Sequence, residues 1–257
     1  MHNPLSDEGR QIVMGSMLGD GYLDVGQTCR HARFEVRSDA VRQDYIFWKY
    51  KYLQVLCNRE PRFYHTTRNG KELSAYHLRT VTHSMFTRLR NILYPQGHRI
   101  VSGRILNSLT SVGLAVWYMD DGNLCVRDRL DTKSRSIDLH IERYMPACCD
   151  VLRRWFQEKF GIMAKLAVHY FSYVQERVML YLRFPIYDFY HTLRPVIADV
   201  VEQIPSMRWK LDFQYAAGKS PDRRRRNKPG QSAHQVIRAW LLKHPEIIKK
   251  FPHAMPS

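Results

Sequence analysis

Two aspartates stand side by side at the end of the apolar run Leu114-Ala-Val-Trp-Tyr-Met-Asp-Asp-Gly122. Length and apolarity predict a buried helix that delivers Asp120 and Asp121 at its C-terminal end, with Gly122 as the stop. A helix C-terminus already carries partial negative charge, so each acid there costs a few tenths to about 1 kcal/mol. A bound cation would offset that cost. The stretch Val13-Met-Gly-Ser-Met-Leu-Gly-Asp-Gly21 repeats the shape: an apolar run with small residues, then Asp20, then Gly21. A single acidic helix end is ordinarily a turn. Two at matching places point to joint use.

Side-by-side packing of the two helices would bring both acids to one level. Gly15 on one helix and Ala115 on the other are small enough for close approach. Two carboxylates meeting there repel each other unless a hard cation sits between them. Mg²⁺ suits such a place, because it takes few protein carboxylates and keeps sites for water and phosphate oxygens. Beside a phosphodiester, the arrangement implies metal-assisted hydrolysis.

The elements around the acids are themselves doubled. Ser6 is a fitting N-cap for a helix over 7–19. Strands are expected at 22–25 and 33–37, a helix over 39–57, a hairpin over 62–81 turning at Arg68-Asn69-Gly70, and a helix over 84–93. After a connector the order restarts. It runs through the motif helix, strands at 124–127 and 136–141, a helix from Pro146 to Phe160, a hairpin of 163–171 and 178–184, and a helix over 186–200. Asp20 and Asp121 lie 101 residues apart, so the chain reads as a tandem duplication with pseudo-twofold symmetry. The expected fold class is α+β: duplicated αββαββα units forming a pseudo-twofold saddle of two antiparallel sheets, with a C-terminal helical tail. The expected divisions are a first half at 1–95, a connector at 96–109, a second half at 110–218, and a basic linker with a terminal helix at 219–257.

Charge names the partner class. The 257 residues carry a net charge of +16 and a pI near 9.8, with 44% hydrophobic content. A core is affordable, and a polyanion is the default partner. No apolar run is long enough to span a bilayer, and the first residues lack a signal pattern. Five cysteines without CxxC spacing argue against a disulfide framework or structural zinc. A cytoplasmic (bacterial) or organellar-matrix setting is expected.

The two motifs and the doubled pattern resemble the LAGLIDADG homing endonucleases with two motifs in one chain, over roughly residues 7–215. The resemblance implies that Asp20 and Asp121 bind metal through their carboxylates. Gly19 and Asp120, just before them, would supply backbone carbonyls. It implies Mg²⁺ as cofactor, with Mn²⁺ as a substitute. The family also places a basic residue near each scissile phosphate. Ile204-Pro-Ser-Met-Arg-Trp-Lys-Leu211 points to Lys210. In the first half, His98-Arg99-Ile100-Val101 stands where the family often has Lys-x-Ile-Pro, so His98 fills the lysine position and Arg99 follows it. Thr110-Ser111 replaces the family's Thr-Pro.

The implied protein is a monomeric endonuclease that makes a double-strand break in DNA at a long, weakly palindromic target. The rivals are an intron RNA maturase, a nickase, and a nucleic-acid-binding protein without cleavage; both acids being present favours the nuclease. Strand phase proposes the DNA-binding set. It comprises Arg33, Arg37, Arg62 and Arg68 in the first half, with Glu35 and Tyr64 on the same face. Arg127, His140, Lys165, Arg177 and Arg183 form it in the second, with Asp138 and Tyr181. Arginines can bind guanine bidentately, and acids can accept from cytosine.

Overall fold

The computed structural model describes residues 4–213, apart from 28, 69–70, 96, 98, 127–134, 145–146 and 172–176, together with residue 242. The expected terminal helix and the basic linker at 219–257, Arg127, His98 and the Asn69-Gly70 turn lie outside the described residues.

The first helix, α1 (Asp7–Leu18), begins where Ser6 accepts a hydrogen bond from the Gly9 amide at 3.1 Å. Then come β1 (Tyr22–Asp24), β2 (Arg33–Asp39), α2 (Gln43–Leu53), β3 (Arg62–Arg68), β4 (Lys71–Arg79) and α3 (Ser84–Leu93). The 39–57 helix expected from sequence is shorter in its α part, because Ala40–Arg42 and Gln54–Leu56 are 3₁₀ turns at its two ends. The connector holds a short helix, α4 (Gly103–Asn107). The second set is α5 (Ser111–Asp121), β5 (Gly122–Val126), β6 (Arg135–His140), α6 (Ala147–Phe160), β7 (Lys165–Phe171) and β8 (Arg177–Phe184). Gly161 takes φ +69° after α6, a left-handed stop that a side chain would resist.

The expected last helix is broken into α7 (Ile186–Asp188), a π turn over Phe189–Leu193, and α8 (Arg194–Val201). Pro195 explains the widening. It has no N–H to donate, and its ring crowds the carbonyl four residues back. A 3₁₀ segment, Pro205–Lys210, follows.

The two sheets share one topology. The strand order is β1-β2-β4-β3 in the first and β5-β6-β8-β7 in the second, all neighbours antiparallel. In β2, Phe34 and Val36 enter the core opposite Arg33, Glu35 and Arg37, as strand alternation requires. Among the described residues no helix is long and apolar enough to cross a membrane, and none of the five cysteines is in a disulfide.

α1 and α5 pack against each other side by side and run parallel. Their contact is closer than small side chains alone would give. A Cβ on Gly15 would fall 2.2 Å from the Gly113 carbonyl oxygen and 2.8 Å from the Val116 Cβ. Gly113, rather than the expected Ala115, is thus the partner that lets the backbones meet. Gln11 ties the entry of α5 to α1: its amide donates to the Ser108 carbonyl at 2.8 Å, and its oxygen accepts from the Thr110 amide at 2.9 Å. Gly15→Ala should therefore destabilise the protein by about 1–3 kcal/mol, the scale of overpacking a tight contact. Urea unfolding checks this; a neutral or stabilising effect would remove the close approach.

Candidate active site

Parallel packing brings the ends of α1 and α5 together. Asp20 follows α1 directly after Gly19, and Asp121 is the last residue of α5. The Asp20 amide donates to the Asp120 carboxylate at 3.3 Å, so the two motifs touch. Burial is the largest reason the Asp121 carboxyl sits well above its usual range, followed by the charges of Asp20 and Asp120. Burial and Asp120 also raise the Asp20 carboxyl, against the opposing pull of Arg143, Lys49 and Lys210. Among the described residues the Asp121 side chain has no hydrogen bond or ion pair.

Two buried cations answer the helix-end puzzle. Arg99 donates to the carbonyls of Leu18 (3.4 Å), Gly19 (3.0 Å) and Gly21 (3.0 Å), with its Nε on the Tyr94 hydroxyl at 2.9 Å. Lys210 donates to the Met119 carbonyl and lies 3.5 Å from that of Asp120. Each cation thus caps the last carbonyls of one motif helix, where positive charge is favourable. The equivalence is by position, since Leu18 and Gly19 match Met119 and Asp120 across the duplication. Arg99 therefore holds, in the first half, the place that Lys210 holds in the second. Burial lowers the Lys210 ammonium to about 7, with Arg42 adding to the shift and the three aspartates opposing it.

Asp120 behaves unlike its neighbour. Its carboxylate accepts from Lys49 Nζ at 2.9 and 3.2 Å and from the Tyr45 hydroxyl at 2.7 Å. The Asp120 and Lys49 side chains are 2% and 1% exposed. Engaged in this way, the Asp120 carboxylate is committed to Lys49, Tyr45 and the Asp20 amide. Gly19 is the counterpart that makes room: a Cβ there would lie 2.4 Å from the Asp120 Cβ.

Arg143 completes the group. It donates to the Gly19 carbonyl at 3.1 Å and to the Asp20 carboxylate at 2.9 Å. Both oxygens belong to the metal-ligand set expected from sequence, so a guanidinium here stands where a cation would be attracted. With Arg37, Arg42 and Lys49 it lines a cavity of about 340 Å³ beside Asp20 and Asp120. Sequence reading missed Arg143, Lys49 and Tyr45. One signal was present: Arg42 and Arg143 follow Asp20 and Asp121 at the same offset.

The donor set fits a hard divalent ion. Among the described residues no three His, Cys, Asp or Glu side chains converge on one metal position. Asp20, Asp121 and the carbonyls of Gly19 and Asp120 would instead hold an ion incompletely, leaving positions for water and phosphate, as Mg²⁺ prefers.

The expected DNA-binding residues separate into distinct environments. Arg37, Arg62 and Lys165 are exposed; Arg62 lies 5.4 Å over the Tyr64 ring. Arg33 is bridged to Glu35 at 2.6 Å and Asp24 at 2.5 Å. Arg183 is held on Asp138 at 2.8 and 3.1 Å. His140 stacks edge-on against Tyr181 at 4.5 Å, with Glu142 3.6 Å away. The side chains of Arg68 and Arg177 lie outside the described residues. Glu35 and Asp138 cannot act as exposed acceptors for cytosine. Both are buried; Arg183 holds both oxygens of Asp138, and arginines, His77 and Tyr22 take those of Glu35. For Glu35, burial alone would raise the carboxyl, yet hydrogen bonds from Tyr22 and Arg33 and the charges of His77 and Arg79 hold it below its usual value. Tyr181 is buried as well.

Known proteins share this fold. The homing endonuclease I-WcaI bound to its DNA recognition sequence superposes with a TM-score of 0.66 at 21% identity, over 82% of this chain and 88% of that one. "Probable intron-encoded endonuclease 1" of Wickerhamomyces canadensis is 23% identical over 212 residues, covering 81% of this chain and 86% of that protein. "Protein RecA" of Mycolicibacterium chitae is 29% identical over 168 residues, 63% of this chain. The chain spans about two fifths of the length of that RecA relative, 38%. The family model of the LAGLIDADG DNA endonuclease family matches residues 10–181, a span that contains most of α1, all of α5, both acids and seven complete strands of the two sheets. With the paired helix ends and two sheets of one topology, that match places the chain in the LAGLIDADG DNA endonuclease family.

Proposed function

We propose that this protein is a site-specific DNA endonuclease that cuts both strands of a long, weakly palindromic target by divalent-metal-assisted hydrolysis, with Mg²⁺ as the natural ion. The observation that carries the reading is the meeting of Asp20 and Asp121 at adjoining helix ends, both carboxyls raised first by burial, then Asp121 by the charges of Asp20 and Asp120 and Asp20 by that of Asp120. Asp20, Asp121 and the Gly19 and Asp120 carbonyls would hold the metal. When bound, it would activate water and stabilise the leaving oxygen. Family membership and the I-WcaI likeness support DNA as substrate. One chain supplies both motifs and both sheets, which supports action as a monomer.

The chain's own residues do the rest. Arg99 and Lys210 hold the carbonyls of the two motif ends in place. Lys210, held on the Met119 carbonyl, is proposed as the basic residue of the second half near one scissile phosphate. Arg143 and Arg42 offer positive charge to the phosphate beside the acids. His98 remains a proposed helper of the first half beside Arg99. Arg33, Arg37, Arg62, Arg68, Arg127, His140, Lys165, Arg177 and Arg183 are proposed to face the DNA, with +16 net charge drawing the duplex in.

The test is a cleavage selection. Full-length protein with Mg²⁺ is incubated with a random-sequence duplex library, and cut ends are recovered. A defined family of sites should emerge, cut on both strands. EDTA should abolish cutting, and Asp20→Asn should reduce it by about 10³-fold or more while DNA retention persists. Tight binding of structured intron RNA, with no DNA cut under any divalent ion, would replace this reading with the maturase one.

A further inference from the structure

Glu35 lies on the outward face of the first sheet, opposite the core residues Phe34 and Val36, yet it is 2% exposed. Its neighbours cover it. Arg33 Nε and Arg79 Nε stand 2.6 and 2.8 Å from one carboxylate oxygen. His77 Nε2 stands 2.8 Å from the other, which also accepts from the Tyr22 hydroxyl. A carboxylate so enclosed reads no base. It holds arginines.

The arginines on this face are not held alike. Arg33 is gripped at two points, because its Nη2 also meets Asp24. Arg37 makes no hydrogen bond or ion pair among the described residues. Arg79 is intermediate. It sits directly across the ladder from Glu35. Only its Nε approaches the carboxylate, as an ion pair without hydrogen-bond alignment; its side chain is 37% exposed, and among the described residues neither terminal nitrogen has a partner.

We propose that Arg79 is a specificity-determining residue: the charge of Glu35, directly across the ladder, keeps its guanidinium on the outward face and leaves the two terminal nitrogens to meet O6 and N7 of a guanine in the half-site lying over the first sheet. The proposal rests on the DNA endonuclease reading. A phosphate contact tolerates a mobile cation, whereas a bidentate base contact needs a fork of fixed orientation. Guanine offers two acceptors at the spacing of that fork. A guanidinium ordered in the free protein has less freedom left to lose on binding. Arg37, untethered on the same face, suits a phosphate instead.

The experiment is selection from a random-sequence duplex library with Ca²⁺ present, comparing wild type, Arg79→Ala, Arg79→Lys and Glu35→Gln as full chains. Wild type should show one strongly preferred guanine that Arg79→Ala weakens by about tenfold or more, leaving preferences elsewhere in the site intact. Arg79→Lys should not restore it, since an ammonium lacks the fork. Glu35→Gln should weaken the same position. If Glu35→Gln fails to fold, the exposed Arg79 variants carry the test. A preference that survives Arg79→Ala, or an even loss of binding across all sequences, overturns the proposal. A wild type that enriches no sequence removes the endonuclease reading and this proposal with it.

Discussion

Asp120→Ala should destabilise the DNA-free protein by about 3–5 kcal/mol, because it strips the partner from a buried ammonium. Lys49 is 1% exposed, and its Nζ hydrogen-bonds only the Asp120 carboxylate among the described residues. The variant would leave that charge uncompensated, along with the Tyr45 hydroxyl that also donates to Asp120. Urea unfolding gives the measurement. Lys49→Met alone should also be costly, since it leaves the carboxylate stranded. The double variant should be better than the sum of the two by well over 1 kcal/mol, as replacement of a buried pair by apolar groups is often near neutral. Simple addition of the single losses would mean that the pair does not act as a unit. Function should suffer too, because Asp120 accepts from the amide of Asp20 and so fixes the loop that presents that acid.

Asp121→Asn should do the reverse to stability and more damage to chemistry. The Asp121 carboxyl is raised well above the usual carboxylate range, first by burial and then by Asp20 and Asp120. Its folded form therefore holds a proton that the unfolded chain has already released. Between the unfolded value near 3.8 and the higher folded one, the stability that Asp121 contributes to the metal-free wild type falls as pH rises. Asparagine carries no such charge and should flatten that decline. At neutral pH in EDTA, Tm should rise by about 2–4 °C, roughly 1 kcal/mol for a chain of this size. Mg²⁺ should raise the wild-type Tm, by mass action on the folded state, and leave the variant nearly unmoved. Cleavage should fall by about 10³-fold or more. A Tm that drops in EDTA, or an unchanged Mg²⁺ response, would count against Asp121 as a metal ligand.

These two expectations treat adjacent aspartates oppositely, and only the fold separates them. Period-2 and period-3.6 patterns, caps and the Asn-Gly turn are local signals, and they placed the four strand pairs and the motif helices to within a few residues. Repetition at 101 residues carried the pseudo-symmetry, and the excess of positive charge carried the class of partner. Both are written in the chain itself. The widened turn before Pro195 and the 3₁₀ ends of α2 are small departures of the same local kind.

What the chain could not announce are contacts between residues far apart in sequence. Lys49 meets Asp120 across 71 positions, and Arg143 meets Asp20 across 123. Neither has a motif, because an ammonium or guanidinium acquires its role from whichever oxygens packing brings within 3 Å. Glu35 is the clearest case. Alternation put it correctly on the outward face, yet the register of β2 against β4 sets Arg79 directly opposite and buries it. Sequence thus determined the doubled architecture, the paired acids and the family they belong to. Tertiary structure decided which of the neighbouring acids is locked to a buried ammonium, which cations cap the helix ends, and which arginine pairs with Glu35, since each of these depends on distances that close only when α1 and α5 lie together and the two sheets form.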